Sequence, residues 1–129
     1  MDRRIRKSRN ALKSSLFTLM KKKNISYISI SELCELADIN RSTFYSNYGN
    51  ITELLSDIHK DLFHAMFSDY KLSISDLNTV ETKKNIIYHM IHYVETHKNE
   101  ITILFTNNEN DLLEKNMVRF FMDICNIDV

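Results

Sequence analysis

With no proline and one glycine in 129 residues, this chain lacks the turn chemistry that a β-sandwich or an open sheet requires. No apolar run approaches the roughly 18 residues of a membrane-spanning helix, and Cys34 and Cys125 are too few and too far apart for a disulfide framework or a zinc site. The formal net charge of zero conceals an asymmetry: residues 1–50 carry ten Lys/Arg against four Asp/Glu, and residues 51–129 carry seven against thirteen.

The first predicted helix spans Asp2–Lys23, with Ile5, Leu12, Leu16, Leu19 and Met20 on its inward face. Nine basic residues lie before Asn24, among them Arg3, Arg4 and Lys7. A basic half joined to an acidic one orients a molecule in the field of a polyanion. The N-terminus has no apolar core of the kind a signal peptide needs, which points to the cytoplasm. Asn24 reads as a left-handed stop, and Ile25, Tyr27 and Ile28 as an extended apolar link.

Two very short helices come next. Ser29 and Glu32 have the spacing of a capping box, and Leu33, Leu36 and Ala37 share one face of the helix they open. Asp38-Ile39-Asn40 interrupts that pattern, with Asn40 suited to cap a helix over Arg41–Tyr48. Phe44 and Tyr48 form an inward pair there, leaving Arg41, Ser42, Thr43, Tyr45, Ser46 and Asn47 mostly outward. Gly49 stands where a left-handed C-terminal cap is wanted. Helices of about two turns are marginal alone; a familiar use of two joined by a tight turn is the helix-turn-helix, which places the second in the DNA major groove.

Asn50 and Glu53 form a second capping box and open a longer helix, Ile51–Tyr70, whose buried stripe is Leu54, Ile58, Leu62, Ala65 and Met66. A loop over Lys71–Asn78 leads to a helix over Val80–His97, through Ile86, Ile87, Met90, Ile91 and Val94. A short helix over Asn99–Phe105, a loop at Thr106–Asn110 and a last helix over Asp111–Asn126 complete the chain. The expected fold is all-α: a three-helix head with a helix-turn-helix in residues 1–50, then a linking helix and a small helical regulatory body in residues 51–129.

Residues Ile30–Leu55, and above all Thr43-Phe44-Tyr45 with the aromatic Tyr48, resemble the DNA-binding segment of the TetR/AcrR family of bacterial transcriptional regulators. With the preceding basic helix the likeness covers roughly residues 3–58. The family commonly has Gly where Asp38 stands, often His where Asn47 stands, and frequently Lys where Ile51 stands, so one phosphate contact is lost.

The resemblance implies a repressor that binds double-stranded DNA at a palindromic operator as a homodimer. Arg41 would read a base edge; Thr43, Tyr45, Asn47 and Tyr48 would hold phosphates. Ser29 and Ser31 add a phosphate contact at a helix N-terminus, while Arg3, Arg4 and Lys7 follow the backbone or the adjacent minor groove. It also implies a small-molecule effector in the body, lined by Phe63, Met66, Phe67, Tyr88, His92, Phe105, Met117 and Phe121. Aromatic and Met side chains at helical spacing are more often plain core.

No cofactor or metal is expected, because His89 and His92 lack a convincing third ligand. An enzyme is not expected either, since the chain has no nucleophile–base set, paired-carboxylate cleft or Gly-rich phosphate loop. Family members carry a further pair of long helices that form the dimer, whereas this sequence stops at Asn126-Ile-Asp-Val129. It is then a fragment, a shortened branch, or a dimer built on another surface. The alternative function is a helical interaction module whose retained head no longer binds DNA on its own.

Overall fold

The computed structural model describes residues 2–67 and 79–124, and the chain is all-helical across them. The helices are α1 (Arg3–Met20), α2 (Ile30–Ala37), α3 (Arg41–Asn47), α4 (Ile51–Phe67), α5 (Val80–Thr96), α6 (Lys98–Thr106) and α7 (Leu112–Ile124), with a 3-10 turn at Ile25–Tyr27. Two compact units are present, residues 1–58 and 59–129. The expected end of α4 at Tyr70, the Lys71–Asn78 loop, Cys125 and Asn126 lie outside the described residues.

In the first unit α1 packs against α2 and α3, and α2 against α3. Asp2 caps α1, its carboxylate accepting the Arg4 N–H at 2.7 Å. The buried side chains of α1 are Leu12, Ser15, Leu16, Leu19 and Met20, one stripe at helical spacing. Ile5 is not part of it: it stands 41% exposed, near the start of the helix and two turns before the buried stripe begins. The helix stops at Met20, earlier than Lys23, because the N–H groups of Lys22 and Lys23 both turn back to the Leu19 carbonyl.

Asn24 is not a left-handed stop. Its backbone is extended (φ −65°, ψ 146°), and its side chain accepts the Ser26 N–H at 3.0 Å, which starts the 3-10 turn where an extended link was expected. That turn buries Ile25 and Ile28 and leaves Tyr27 exposed.

On α2 the inward stripe is Ile30, Leu33, Cys34 and Ala37, with Leu33 and Cys34 fully packed. Leu36 is half exposed, since it lies about a third of a turn away from that stripe. Burial pushes the Cys34 thiol up, partly offset by the nearby Arg41 charge, so Cys34 serves as a small apolar side chain.

The turn between α2 and α3 rests on Asp38, at φ 55° and ψ 49°. This left-handed backbone is normally glycine's, and a short polar side chain tolerates it better than most. Gly49, by contrast, has no positive φ. The residue after α3, Tyr48, is already extended (φ −140°, ψ 144°). Glycine suits position 49 for lack of space: a Cβ there would sit 3.0 Å from the Glu53 carboxylate, which accepts the Gly49 N–H.

The second unit holds the later part of α4 with α5, α6 and α7. There α4 buries His59, Leu62, Phe63, Met66 and Phe67, a choice of positions that turns Ala65 outward. Phe63, Phe67, Phe120 and Phe121 form one ring cluster, with centroids 5.0–6.2 Å apart for the contacting pairs. Asn108 accepts the Leu113 N–H at 2.9 Å and donates to Glu114, so it caps α7. Helix α5 departs most from expectation. Only Ile86 is buried among its described residues, whereas Ile87, Ile91 and Val94 face outward.

Candidate nucleic-acid interface

Helix α3 is seven residues long, and its placement depends on what holds it from behind and at its ends. At the start, Asn40 accepts the Thr43 N–H at 2.9 Å and the Ser42 hydroxyl at 2.7 Å. Behind it, Phe44 is fully buried, edge-on to Tyr45 with centroids 5.4 Å apart and tilted against Tyr48 at 6.0 Å. Replacing Asn40 by alanine removes that cap and is expected to cost about 1 kcal/mol, read as a lowered thermal midpoint that Asn40→Asp recovers in large part.

At its far end α3 is held by a polar cluster spanning three helices. The Tyr48 hydroxyl donates to Asp57 Oδ2 at 2.6 Å, and Lys13 Nζ lies 3.3 Å from the same oxygen. Arg9 donates from Nε to Asn47 Oδ1 at 3.1 Å, and its guanidinium stands 5.4 Å from the centre of the Tyr48 ring. Asn47 also donates to the Thr43 carbonyl at 2.8 Å. In this way α1 and α4 grip the last turn of α3 through charged and aromatic contacts, in addition to the apolar core.

The outer face of α3 is what remains. Arg41, Ser42, Tyr45 and Ser46 are exposed, as two pairs at four-residue spacing, and Thr43 is half-buried. Ser46 donates to the Ser42 carbonyl, which leaves the hydroxyl oxygen free to accept from outside its own helix turn. Arg41 thus stands at the N-terminal end of an exposed face carrying a guanidinium, a phenol and two hydroxyls. The guanidinium suits bidentate readout of a guanine edge, the phenol can donate to a phosphate oxygen, and the two serine oxygens can accept from base amino groups.

Asn47 was expected outward and is half-buried; Tyr48 is inward as its pairing with Phe44 suggested, which leaves its hydroxyl unavailable for the phosphate contact the resemblance implied. Tyr48 is 5% exposed with its hydroxyl committed to Asp57, and Asn47 is held against Arg9. Both act as supports of α3. Sequence reading missed Arg9, Lys13 and Asp57 in this role, because their partners lie 38, 44 and nine residues away. Ser29 uses its side chain as the α2 cap, accepting the Glu32 N–H at 3.1 Å, and Ser31 is exposed in the first turn of α2. The Glu32 carboxylate does not close the box; it pairs with Lys23 at 2.6 Å. Arg3, Arg4, Arg6 and Lys7 are all exposed on the first two turns of α1.

The candidate effector residues do not gather in one place. Phe63, Phe67 and Phe121 share the ring cluster, Met66 is buried and Met117 half-buried. Tyr88, His92 and Phe105 are on the surface. His89 bonds the Met66 carbonyl, and no group of three His, Cys, Asp or Glu among the described residues could hold a metal ion. No helix among them is long and apolar enough to cross a membrane.

Comparison with known proteins bears on this site. Over 120 residues, 92% of its length, the chain is 21% identical to the uncharacterized HTH-type transcriptional regulator YxbF of Bacillus subtilis (strain 168). It spans about 30% of that relative's length. No protein-family model matches the chain, and no solved structure matches it. A helix-turn-helix regulator as relative agrees with a short, capped α3 that presents polar side chains outward.

Proposed function

We propose that this chain is a DNA-binding transcriptional regulator of the TetR/AcrR type, a repressor that binds a palindromic operator as a homodimer in the cytoplasm. The observation that carries the reading is the outer face of α3, where Arg41, Ser42, Tyr45 and Ser46 stand exposed on a helix clamped from behind. The relative's name supports a helix-turn-helix regulator, and the Thr43-Phe44-Tyr45 motif supports the TetR/AcrR type.

In this reading α3 lies in the major groove. Arg41 reads a base edge and the Tyr45 hydroxyl sets the register on a phosphate, while the Ser42 and Ser46 oxygens, whose protons are donated to Asn40 and the Ser42 carbonyl, can accept from base amino groups. The exposed cations at the start of α1 add sequence-independent attraction. Asn47 and Tyr48 contribute by holding α3 in place, so the head makes fewer phosphate contacts than the motif alone implies.

The test is discrimination between duplexes. The wild-type chain is expected to prefer the DNA upstream of its own gene over random duplex of equal length. Arg41→Ala should lose about 1–3 kcal/mol of that preference, centred on one base pair of each half-site. Equal affinity of the wild type for both duplexes would point instead to a helical interaction module.

A further inference from the structure

We propose that the exposed apolar stripe of α5 is a self-docking surface, on which a second copy of this chain packs antiparallel about a two-fold axis. The inference rests on the reading of the chain as a dimer and names the surface that joins it.

Helix α5 buries only Ile86 among its described residues, yet it carries Ile87, Tyr88 and Ile91 at 55%, 61% and 50% exposure, with Val80 and Val94 exposed as well. On a helix of 3.6 residues per turn these five fall on one side, along about 21 Å of axis. An apolar stripe of this length, sustained over more than three turns, marks an interaction surface more than scattered surface apolarity does.

Charge identifies the occupant. Lys84 and Glu95 lie on the same stripe, eleven residues apart, which is three turns and almost no rotation. In an antiparallel pair whose two-fold passes between positions 89 and 90, Lys84 faces Glu95 of the partner subunit, and the same contact recurs on the other side. Tyr88 then lies beside Ile91 of the partner subunit. A parallel pair in register would set Lys84 against Lys84 and Glu95 against Glu95, and like charges so placed repel. The pattern is therefore self-complementary in one direction only, as an isologous interface must be.

Shape agrees with charge. The N-terminal half of α5 carries a shallow surface groove lined by Val80, Lys83, Lys84, Ile87 and Tyr88. The same register brings the opposite end of the partner's stripe, with its Ile91 and Val94 positions, over that groove. Lys84 Nζ stands 5.8 Å from the centre of the Tyr88 ring, which keeps both side chains along the stripe.

The experiment is the solution mass of the full chain by sedimentation across a concentration series. The wild type is expected to dimerise. Lys84→Glu and Glu95→Lys should each weaken the dimer by about tenfold or more, and the double variant K84E/E95K should restore it. Ile91→Asp should leave a monomer with unchanged helical circular dichroism, since the side chain is exposed in the single chain. Rescue by the double swap is the outcome that a merely destabilised fold cannot produce. A wild type that is monomeric, or a dimer indifferent to Ile91→Asp and to both charge reversals, overturns the proposal. In the second case the dimeric regulator stands and its interface lies elsewhere; binding of the wild type to duplex DNA, measured in parallel, decides that reading separately.

Discussion

Phe44→Ala is expected to unfold the helix-turn-helix at ordinary temperature. The Phe44 ring is fully buried, contacts both neighbouring tyrosines and is the only buried side chain of α3. Truncating a buried phenylalanine costs about 3–5 kcal/mol. A unit of this size has on the order of 3–9 kcal/mol in total, so the loss consumes much or all of it. The measurement is a thermal melt followed by circular dichroism, with Tyr45→Ala as the control. Tyr45 is half exposed, and its removal should move the midpoint little while weakening DNA binding. If Phe44→Ala melted like the wild type, the buried face of α3 would be wrongly assigned.

Acid is expected to destabilise the second unit well above the usual carboxylate range, through His59. This side chain is fully buried; Asn116 donates to its Nδ1 at 2.9 Å, and its Nε2 meets no hydrogen-bond partner among the described residues. Burial, opposed in part by the Glu114 charge, pushes its pKa down to about 4. A histidine with a depressed folded pKa is held neutral by the fold, whereas the unfolded chain takes up its proton near the ordinary value. Stability is therefore complete above about pH 6.5 and declines as pH falls toward the folded value, by on the order of 3 kcal/mol in all.

Urea unfolding at intervals from pH 7.5 to 4 measures this decline. Glu114, held below the usual carboxylate range first by the Asn108 side chain, loses its contribution only at lower pH, so the upper part of the window isolates His59. His59→Gln, which can still accept from Asn116, should flatten the dependence between pH 6.5 and 5. A wild type whose stability does not change over that interval would contradict the assignment of His59 as buried and neutral.

What the sequence made legible was local. The caps at Ser29, Asn40 and Asn50 form with the expected N–H groups at 2.9–3.1 Å, because each involves a side chain and a backbone group three residues apart. Asp38 takes the left-handed turn expected of it, because a short polar residue tolerates that backbone.

What periodicity could not show was which of two faces meets the rest of the protein. Tyr48 was placed on a helix that in fact ends at Asn47, and Asp57, nine residues on, captures its hydroxyl. Phe63 and Phe105 look alike in sequence, yet one is 3% exposed and the other 58%. Ile87, Ile91 and Val94 have the spacing of a core stripe and form a surface one. Each of these outcomes was decided by long-range packing, which leaves no signature in residue spacing. The left-handed pair Asn110 and Asp111, before α7, carried no recognisable turn motif either.

The central claim, that α3 and the basic start of α1 form a DNA-binding surface, is tested most directly by affinity for a duplex of the chain's own upstream DNA across a salt series. Measurable binding at low salt is expected, with a linear fall of log affinity with log salt of about 0.9 for each phosphate neutralised. Arg41→Ala should make that slope shallower if Arg41 also neutralises a phosphate, and should relax base preference if it reads a base edge. Absence of binding to any duplex at low salt, by a chain shown to be folded, would contradict it.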